Sequence, residues 1–349
     1  MATVTLTPEI VIGGVDTHAD VHVAAACDRL GKVLGTKAFP TTPAGYCDLL
    51  SFLTGFGELE AVGVEGTGSY GSGLARHLAA EQVTVFEVGR PNRQVRRAHG
   101  KSDVIDAIAA ARAVISDQAK VIPKSHDGTV EGLRALQIVH RSAHKARTQT
   151  LNQLHALIVT APEPIRGQLR GLGRPQMLTT CQGYRPGDRD DVASIVKLAL
   201  RELATRVADL DEQIKRVQTR RHRLVRAHAP RLLAIYGVGP DTAATLLVSA
   251  GDNPDRLHSE ASYAALLGAS PIRASSGKTK RKRLNRGGDR QGNSALWHIV
   301  ITRMANQPAT KAYVERRITE GLSTPEIIRC LKRYVAREVF NALPPELRT

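Results

Sequence analysis

The chain has 349 residues, enough for two or three compact domains, and 42% of them are hydrophobic, so a sizeable core is within reach. A formal net charge of +16 points to a polyanionic partner, while an aromatic content of 4% argues against base-stacking platforms built from several exposed rings. Cys27, Cys47, Cys181 and Cys330 show no zinc-type spacing and no disulfide framework, the opening MATVTLTPEI lacks signal-peptide features, and no apolar run nears the ~20 residues that span a bilayer. The expectation is a reduced, cytoplasmic protein with no membrane partner.

The first 115 residues alternate strand and helix signals. EIVIGGVD, VHVAAACD and KVLGTKAF read as an antiparallel meander of three strands. GYCDLLSFLTGF has helical spacing, and LEAVGVEGTGSY is a buried strand running into a glycine-rich turn. SGLARHLAAE reads as a helix and VTVFEVG as a strand. This is an α/β pattern with a mixed sheet. KSDVIDAIAAARAVI follows, with Ser102 placed as N-cap and Val104, Ile108, Ala111 and Ile115 as the apolar stripe of a helix. Asp103 and Asp106 stand three apart and share another side, lined by Ala107 and Ala110, where small neighbours leave room for an approaching group.

Residues 129 to 160 read as one long helix. Residues 161 to 190 hold Pro162, Pro164, Pro175 and Pro186 with several glycines, so a break or loop is expected. From 191 a heptad runs through Val196, Leu200, Leu203, Val207, Leu210, Ile214, Val217 and Leu224, with Arg221 in the one skipped position. That pattern fits a coiled coil and dimerisation through it, or one amphipathic helix packed on its own domain. Beyond 229, RLLAIYGVGPDTAATLLV places Gly237 and Gly239 in a turn between helical patterns. A helix-hairpin-helix would use such a turn to offer backbone N–H groups to a phosphate, and an ordinary helical pair would use it only to turn.

PIRASSGKTKRKRLNRGGDRQGN is the most charged stretch. Eight basic residues and one acid, Asp289, lie between Arg273 and Arg290 inclusive, behind Ser275 and Ser276. It is a solvated basic loop or a hydroxyl held against a phosphate backbone. The acids bear on that choice. Asp16 ends the first strand, Glu65 ends a later one, and Asp103 and Asp106 open a helix. Each alone has a bland role, as a turn cap, a surface acid or a helix-start charge. Together, in an RNase H-like order of strands and helix, they form a candidate pocket of mutually repelling carboxylates. Mg2+ or Mn2+ would neutralise it, since hard cations take oxygen ligands. Asp20, Asp28 and Asp48 lack such placement.

GVDTHAD, GVEGTGSY and KSDVIDA, in this order and spacing, resemble the RuvC-like catalytic domain of the DEDD-type transposases of bacterial insertion sequences, the IS110 family. YGVGPDTAATLL, ALLGASP and SSGKTKRKRLNRGGD resemble its C-terminal transposase domain, so the likeness covers nearly the whole chain. IGGVD departs from the pattern by a glycine pair where a branched apolar residue is usual. The resemblance implies an RNase H-like (RuvC-like) α/β domain over residues 1–125, a helical coiled-coil spacer over 126–228 and a mostly α-helical domain over 229–349. It implies a metal-binding quartet of Asp16, Glu65, Asp103 and Asp106. It also implies a nucleophilic serine immediately before a glycine, which falls on Ser276 before Gly277, with Ser275 adjacent. Attack would leave a 5′-phosphoserine linkage and a free 3′-hydroxyl, with no need of ATP. Lys278, Lys280, Arg281, Lys282 and Arg283 would grip the DNA backbone. A structured bridge RNA pairing with donor and target DNA, and a dimer or tetramer of the chain acting at the nucleoid, are further implications. Two other readings fit the same residues. A junction-resolving nuclease would use the four acids with water as nucleophile, and a non-enzymatic nucleic-acid-binding protein would need neither acids nor serine.

Overall fold

A computed structural model describes residues 9–89, 102–252, 257–273 and 282–347. They divide into two compact units. The first runs up to Gly128 and adds Ala250–Tyr263 and Pro344–Thr349, and the second joins Thr129–Ser249 to Ala264–Leu343.

The first unit is built on a five-stranded sheet. Its strands are β1 (Ile10–Thr17), β2 (Val21–Asp28), β3 (Val33–Pro40), β4 (Glu58–Glu65) and β5 (Val85–Val88), in the order β3-β2-β1-β4-β5. The expected meander is present: β1, β2 and β3 pair antiparallel. β4 then lies parallel to β1, and β5 parallel to β4, which makes the sheet mixed. Strand β1 is apolar on both faces because both faces are covered. Val11 and Val15 meet α1 (Pro43–Thr54) and α2 (Ser72–Ala80) through Leu49, Leu53, Leu74 and Leu78. Ile12 and Cys27 meet α3 (Asp103–Ile115) through Ala111, and Val23 and Ala25 meet it through Ala107.

Helix α3 corrects one expectation. It buries Asp106, Ala107, Ala110 and Ala111, while Val104, expected in the apolar stripe, is 38% exposed. The reason lies in the strands. A Cβ at Gly14 would sit 2.2 Å from the Ala107 carbonyl oxygen and 2.3 Å from the Ala111 nitrogen, and one at Gly63 would sit 2.6 Å from the Ala110 carbonyl oxygen. Helix backbone rests directly on strand backbone, so the alanine face is contact surface and leaves no room for a ligand. The glycine pair that departs from the family pattern is explained by the same packing, since a Cβ at Gly13 would meet Leu53 and Val62 on the opposite face. Ser102 does occupy the N-cap position, although its side chain makes no capping hydrogen bond.

In the second unit α4 (Thr129–Thr160) and α7 (Val192–His228) pack along each other. Between them the expected break is only partly a loop. It holds α5 (Glu163–Leu169) and α6 (Arg174–Gln182), each with a proline in its first turn, where the missing N–H costs no helical bond. Ile165, Leu169, Met177 and Cys181 from these helices pack with Leu154, Leu200 and Ala204. Along the heptad, Leu200, Val207, Ile214 and Arg221 are buried, and Val196, Leu203, Leu210, Val217 and Leu224 are half-buried. The helix therefore packs on its own chain, as one of the two readings of the heptad has it.

Arg221, the exception in the heptad, donates from Nη1 to Asp241 Oδ1 at 3.0 Å. His222 and Gln218 reach the same carboxylate at 3.2 Å. Burial lowers the Arg221 pKa and Asp241 opposes the shift. After α7 come α8 (Pro230–Leu233), α9 (Pro240–Ala250), α10 (Glu260–Leu266), the two-residue strands β6 (Ile272–Arg273) and β7 (Lys282–Arg283), α11 (Arg290–Asn306), α12 (Pro308–Thr319) and α13 (Thr324–Ala342). No helix of the described residues is long and apolar enough to cross a membrane.

Candidate metal and active site

Strand geometry gathers the acids. Asp16 is at the carboxyl end of β1, on the face that meets α3, because Ile12 and Gly14 of the same parity touch that helix. Val15 of β1 is in register with Val64 of β4, so Glu65, at the end of the parallel neighbour, follows beside Asp16. The Thr17 hydroxyl donates to the Glu65 carbonyl oxygen at 2.8 Å and ties the two strand ends together. The chain then turns at Gly66, whose φ of +71° and whose 3.0 Å clearance to Thr17 Oγ1 at a built Cβ admit glycine best. From the other side, the first turn of α3 supplies Asp106, which is buried, and Asp103, which is half exposed.

Asp16, Glu65 and Asp106 line one cavity of about 510 Å3, together with His18, Tyr70 and Glu87. Asp103 joins through His18, whose Nε2 lies 3.2 Å from Asp16 Oδ2 and 3.3 Å from Asp103 Oδ1. Ligand atoms of Asp16, His18 and Asp103 all fall within 4.8 Å of one another. Burial raises the Asp16 pKa above the ordinary carboxylate value. His18 works against this, and the charges of Asp106 and Asp103 add to it. A buried carboxyl pushed upward by its neighbours is what a cation of two charges relieves. The donor set is carboxylate oxygen with one imidazole, which suits Mg2+ and, with the nitrogen, suits Mn2+ better.

Of the four expected acids, Asp16, Glu65 and Asp106 thus line one cavity, and Asp103 stands outside its lining and approaches Asp16 through His18. His18 was not singled out from the sequence, and neither was Glu87. The signal for His18 was available, since residues two apart share a strand face and His18 follows Asp16 by two.

The basic and serine positions divide differently. Ser275, Ser276, Lys278, Lys280 and Arg281 lie outside the described residues. Lys282 pairs in β7 with Arg273 of β6, and Arg283 is exposed. Gly237 takes a φ of +85°, with the Ile299 carbonyl oxygen 3.3 Å from a built Cβ, while Gly239 faces open space. Arg303 donates from Nε to the Tyr236 carbonyl oxygen at 3.0 Å and holds Glu338 with both Nη atoms, at 3.1 and 2.7 Å. That pins the turn to α11. The helix preceding the turn is a single turn long, shorter than a helical hairpin through LLAIY.

Carboxylates gathered at the ends of adjacent parallel strands, beside an acidic helix start, form a candidate cation site on an α/β sheet. Residues 13–161 match the IS110 DEDD family described as "Transposase". Residues 229–315 match the one described as "Transposase IS116/IS110/IS902 family". A protein of Streptomyces coelicolor described as "Insertion element IS110 uncharacterized 43.6 kDa protein" is 30% identical over 144 residues. That alignment covers 40% of this chain and 35% of the relative, so the chain matches about a third of the relative's length. The chain belongs to the IS110 family of DEDD transposases.

Proposed function

We propose that the chain is a DNA transposase that cuts and rejoins strands with the Ser276 hydroxyl and an acidic metal site. The observation that carries this reading is the convergence of Asp16, Glu65 and Asp106 on one cavity, with Asp103 linked to Asp16 through His18. The strand order β3-β2-β1-β4-β5, with β2 antiparallel, supports an RNase H-like architecture for that unit. Asp16, Glu65, Asp103 and Asp106 would hold Mg2+ or Mn2+. When bound there, such an ion would supply Lewis-acid stabilisation of the scissile phosphate and of charge on the attacking and leaving oxygens.

The chain's own residues do the rest. Ser276 Oγ forms a bond to phosphorus as the bond from phosphorus to the 3′-oxygen breaks. The hydroxyl proton leaves Oγ and a proton ends on the departing 3′-oxygen, so the DNA is held as a 5′-phosphoserine ester. Reversal by a different 3′-hydroxyl rejoins strands at little net cost, because one phosphoester replaces another. Lys278, Lys280, Arg281, Lys282 and Arg283 hold backbone phosphates, and the Gly237–Gly239 turn offers backbone N–H groups to another. A net charge of +16 with few aromatics supports recognition of a bridge RNA through shape and phosphate, sequence being read by base pairing. The working form is a homo-oligomer on the nucleoid.

Trapping a covalent adduct between the protein and a DNA end tests the reading. The adduct is expected with wild type and with Ser275→Ala, and is expected to vanish with Ser276→Ala and with Asp106→Asn. Cleavage with no adduct at any time point would replace this function by a junction-resolving endonuclease that activates water.

A further inference from the structure

His18 stands just past the end of β1, and its backbone is held in the turn to β2. Its N–H donates to the Val21 carbonyl oxygen at 3.2 Å, and its own carbonyl oxygen accepts from the Thr41 hydroxyl at 3.4 Å. A held backbone therefore aims a ring that is itself 48% exposed. The ring lines the cavity with Asp16, Glu65 and Asp106. Asp103 does not line it, and is the acid of the four that needs another group to bring it in. Among the described residues, Asp16, His18 and Asp103 are the one set of three histidine, cysteine or acidic side chains whose ligand atoms gather closely enough to hold a single ion.

The distances admit two explanations. A hydrogen bond from Nε2 accounts for either contact, but a single Nε2 carries one hydrogen and two carboxylates face it, at 3.2 and 3.3 Å. Ligand atoms bound about 2.1 Å from one octahedral ion stand about 3 Å apart when adjacent, which is close to the spacing of Nε2 from both oxygens. Exposure fits a cation as well. Asp16 lies inside, while His18 and Asp103 are half exposed, so an ion entering past them keeps part of its water. Imidazole is a nitrogen donor. It adds little for Mg2+, which takes oxygen ligands, and more for transition metals.

We infer that His18 is itself a ligand of the acidic site, joining Asp16 and Asp103 round one cation, and that its nitrogen makes the site prefer Mn2+ to Mg2+. The inference rests on the metal-dependent reading of the acids and goes beyond the acidic quartet. It also gives Asp103 a place at the ion, which the cavity alone does not.

The test is the full chain in metal-free buffer, given less than one equivalent of Mn2+ so that the tightest site fills first. Pulsed EPR of the bound ion reads a directly bonded nitrogen as a hyperfine coupling. That coupling is expected in wild type and is expected to vanish in His18→Gln, whose amide keeps a hydrogen-bond donor. Titrations read by the EPR signal of free Mn2+, with Mg2+ as competitor, should show Mn2+ binding weakened about tenfold or more in the variant, with Mg2+ binding little changed. Circular dichroism and Tm check that the fold is kept, and the wild-type coupling is read without any variant. A wild-type ion with no nitrogen coupling overturns the inference, and so does a coupling that persists in His18→Gln. Equal losses of Mn2+ and Mg2+ overturn it too, and make His18 a hydrogen-bonded clamp between two acids. Asp16→Asn tests the underlying reading separately. Mn2+ binding lost in that variant, with no nitrogen coupling in wild type, sinks the inference alone. Mn2+ binding that survives Asp16→Asn sinks the metal-dependent reading and the inference with it.

Discussion

Asp16 is a buried carboxyl under electrostatic tension in the first unit. Its side chain is 9% exposed, and burial raises its pKa, with Asp106 and Asp103 adding and His18 subtracting. The sign of the consequence follows. Below about pH 3.9 the carboxyl is protonated in folded and unfolded chains alike. As pH rises past that value the unfolded chain ionises more readily, so stability falls until the folded carboxyl also titrates, and the full penalty persists at neutral pH. In metal-free buffer Asp16→Asn is therefore expected to raise Tm, since it removes a charge that burial disfavours. Mg2+ or Mn2+ should raise the Tm of wild type and leave the variant nearly unmoved. A variant that melts lower in metal-free buffer would show that Asp16 makes a net stabilising contact instead. At this scale the sequence was informative about the acids only as a set, because each alone has a bland use and it is their joint placement at two strand ends and a helix start that points to one pocket. It was less informative about His18, whose role depends on reaching Asp103 from a distant helix.

At the level of elements, the site depends on how closely α3 approaches the sheet. Asp106 reaches the cavity because Ala107 and Ala111 sit on Gly14, and Ala110 sits on Gly63. Gly14→Ala would place its methyl 2.2 Å from the Ala107 carbonyl oxygen, a backbone atom that no rotamer change removes. The helix must shift, at a cost of about 1–3 kcal/mol for such overpacking. It would carry Asp106 away from Asp16 and Glu65. The expected result is a lower urea midpoint together with loss of the divalent-ion stabilisation seen in wild type; a variant that keeps both would mean the helix has slack the packing does not show. This contact explains what helical periodicity missed. Two stripes of α3 were apolar enough to be buried, and the choice between them was made by two glycines on strands far away in sequence. The prolines of 161–190 misled in a related way: they stop a helix that reaches them but also start the next one. The heptad was legible as a seam, yet its partner, α4 of the same chain, was not.

Over the whole molecule, the acids belong to the first unit, and the stretch containing Ser276 is bounded by Arg273 and Lys282 of the second. If the Ser276 hydroxyl and the acidic site act on one phosphodiester, as proposed, they must meet either within one chain or between two. The row Val196, Leu203, Leu210, Val217 and Leu224 stays half-buried along α7 while the alternate row is buried. Val196 and Leu203 of that row pack against the core of their own unit, and Leu210, Val217 and Leu224 continue it along the helix. Pairing two copies would let the serine of one work with the acids of the other, and the arrangement makes a sharp prediction. Protein carrying Asp106→Asn keeps its serine, and protein carrying Ser276→Ala keeps its acids, so each alone is inert for a different reason. In mixed oligomers one site regains both intact halves if they come from different chains. Mixing the two proteins before adding DNA is therefore expected to restore the covalent adduct, carried solely by the chain with Asp106→Asn, which a mass tag on one of them identifies. If the mixture stays as inactive as its components while forming mixed oligomers, each chain must supply both halves of its own site.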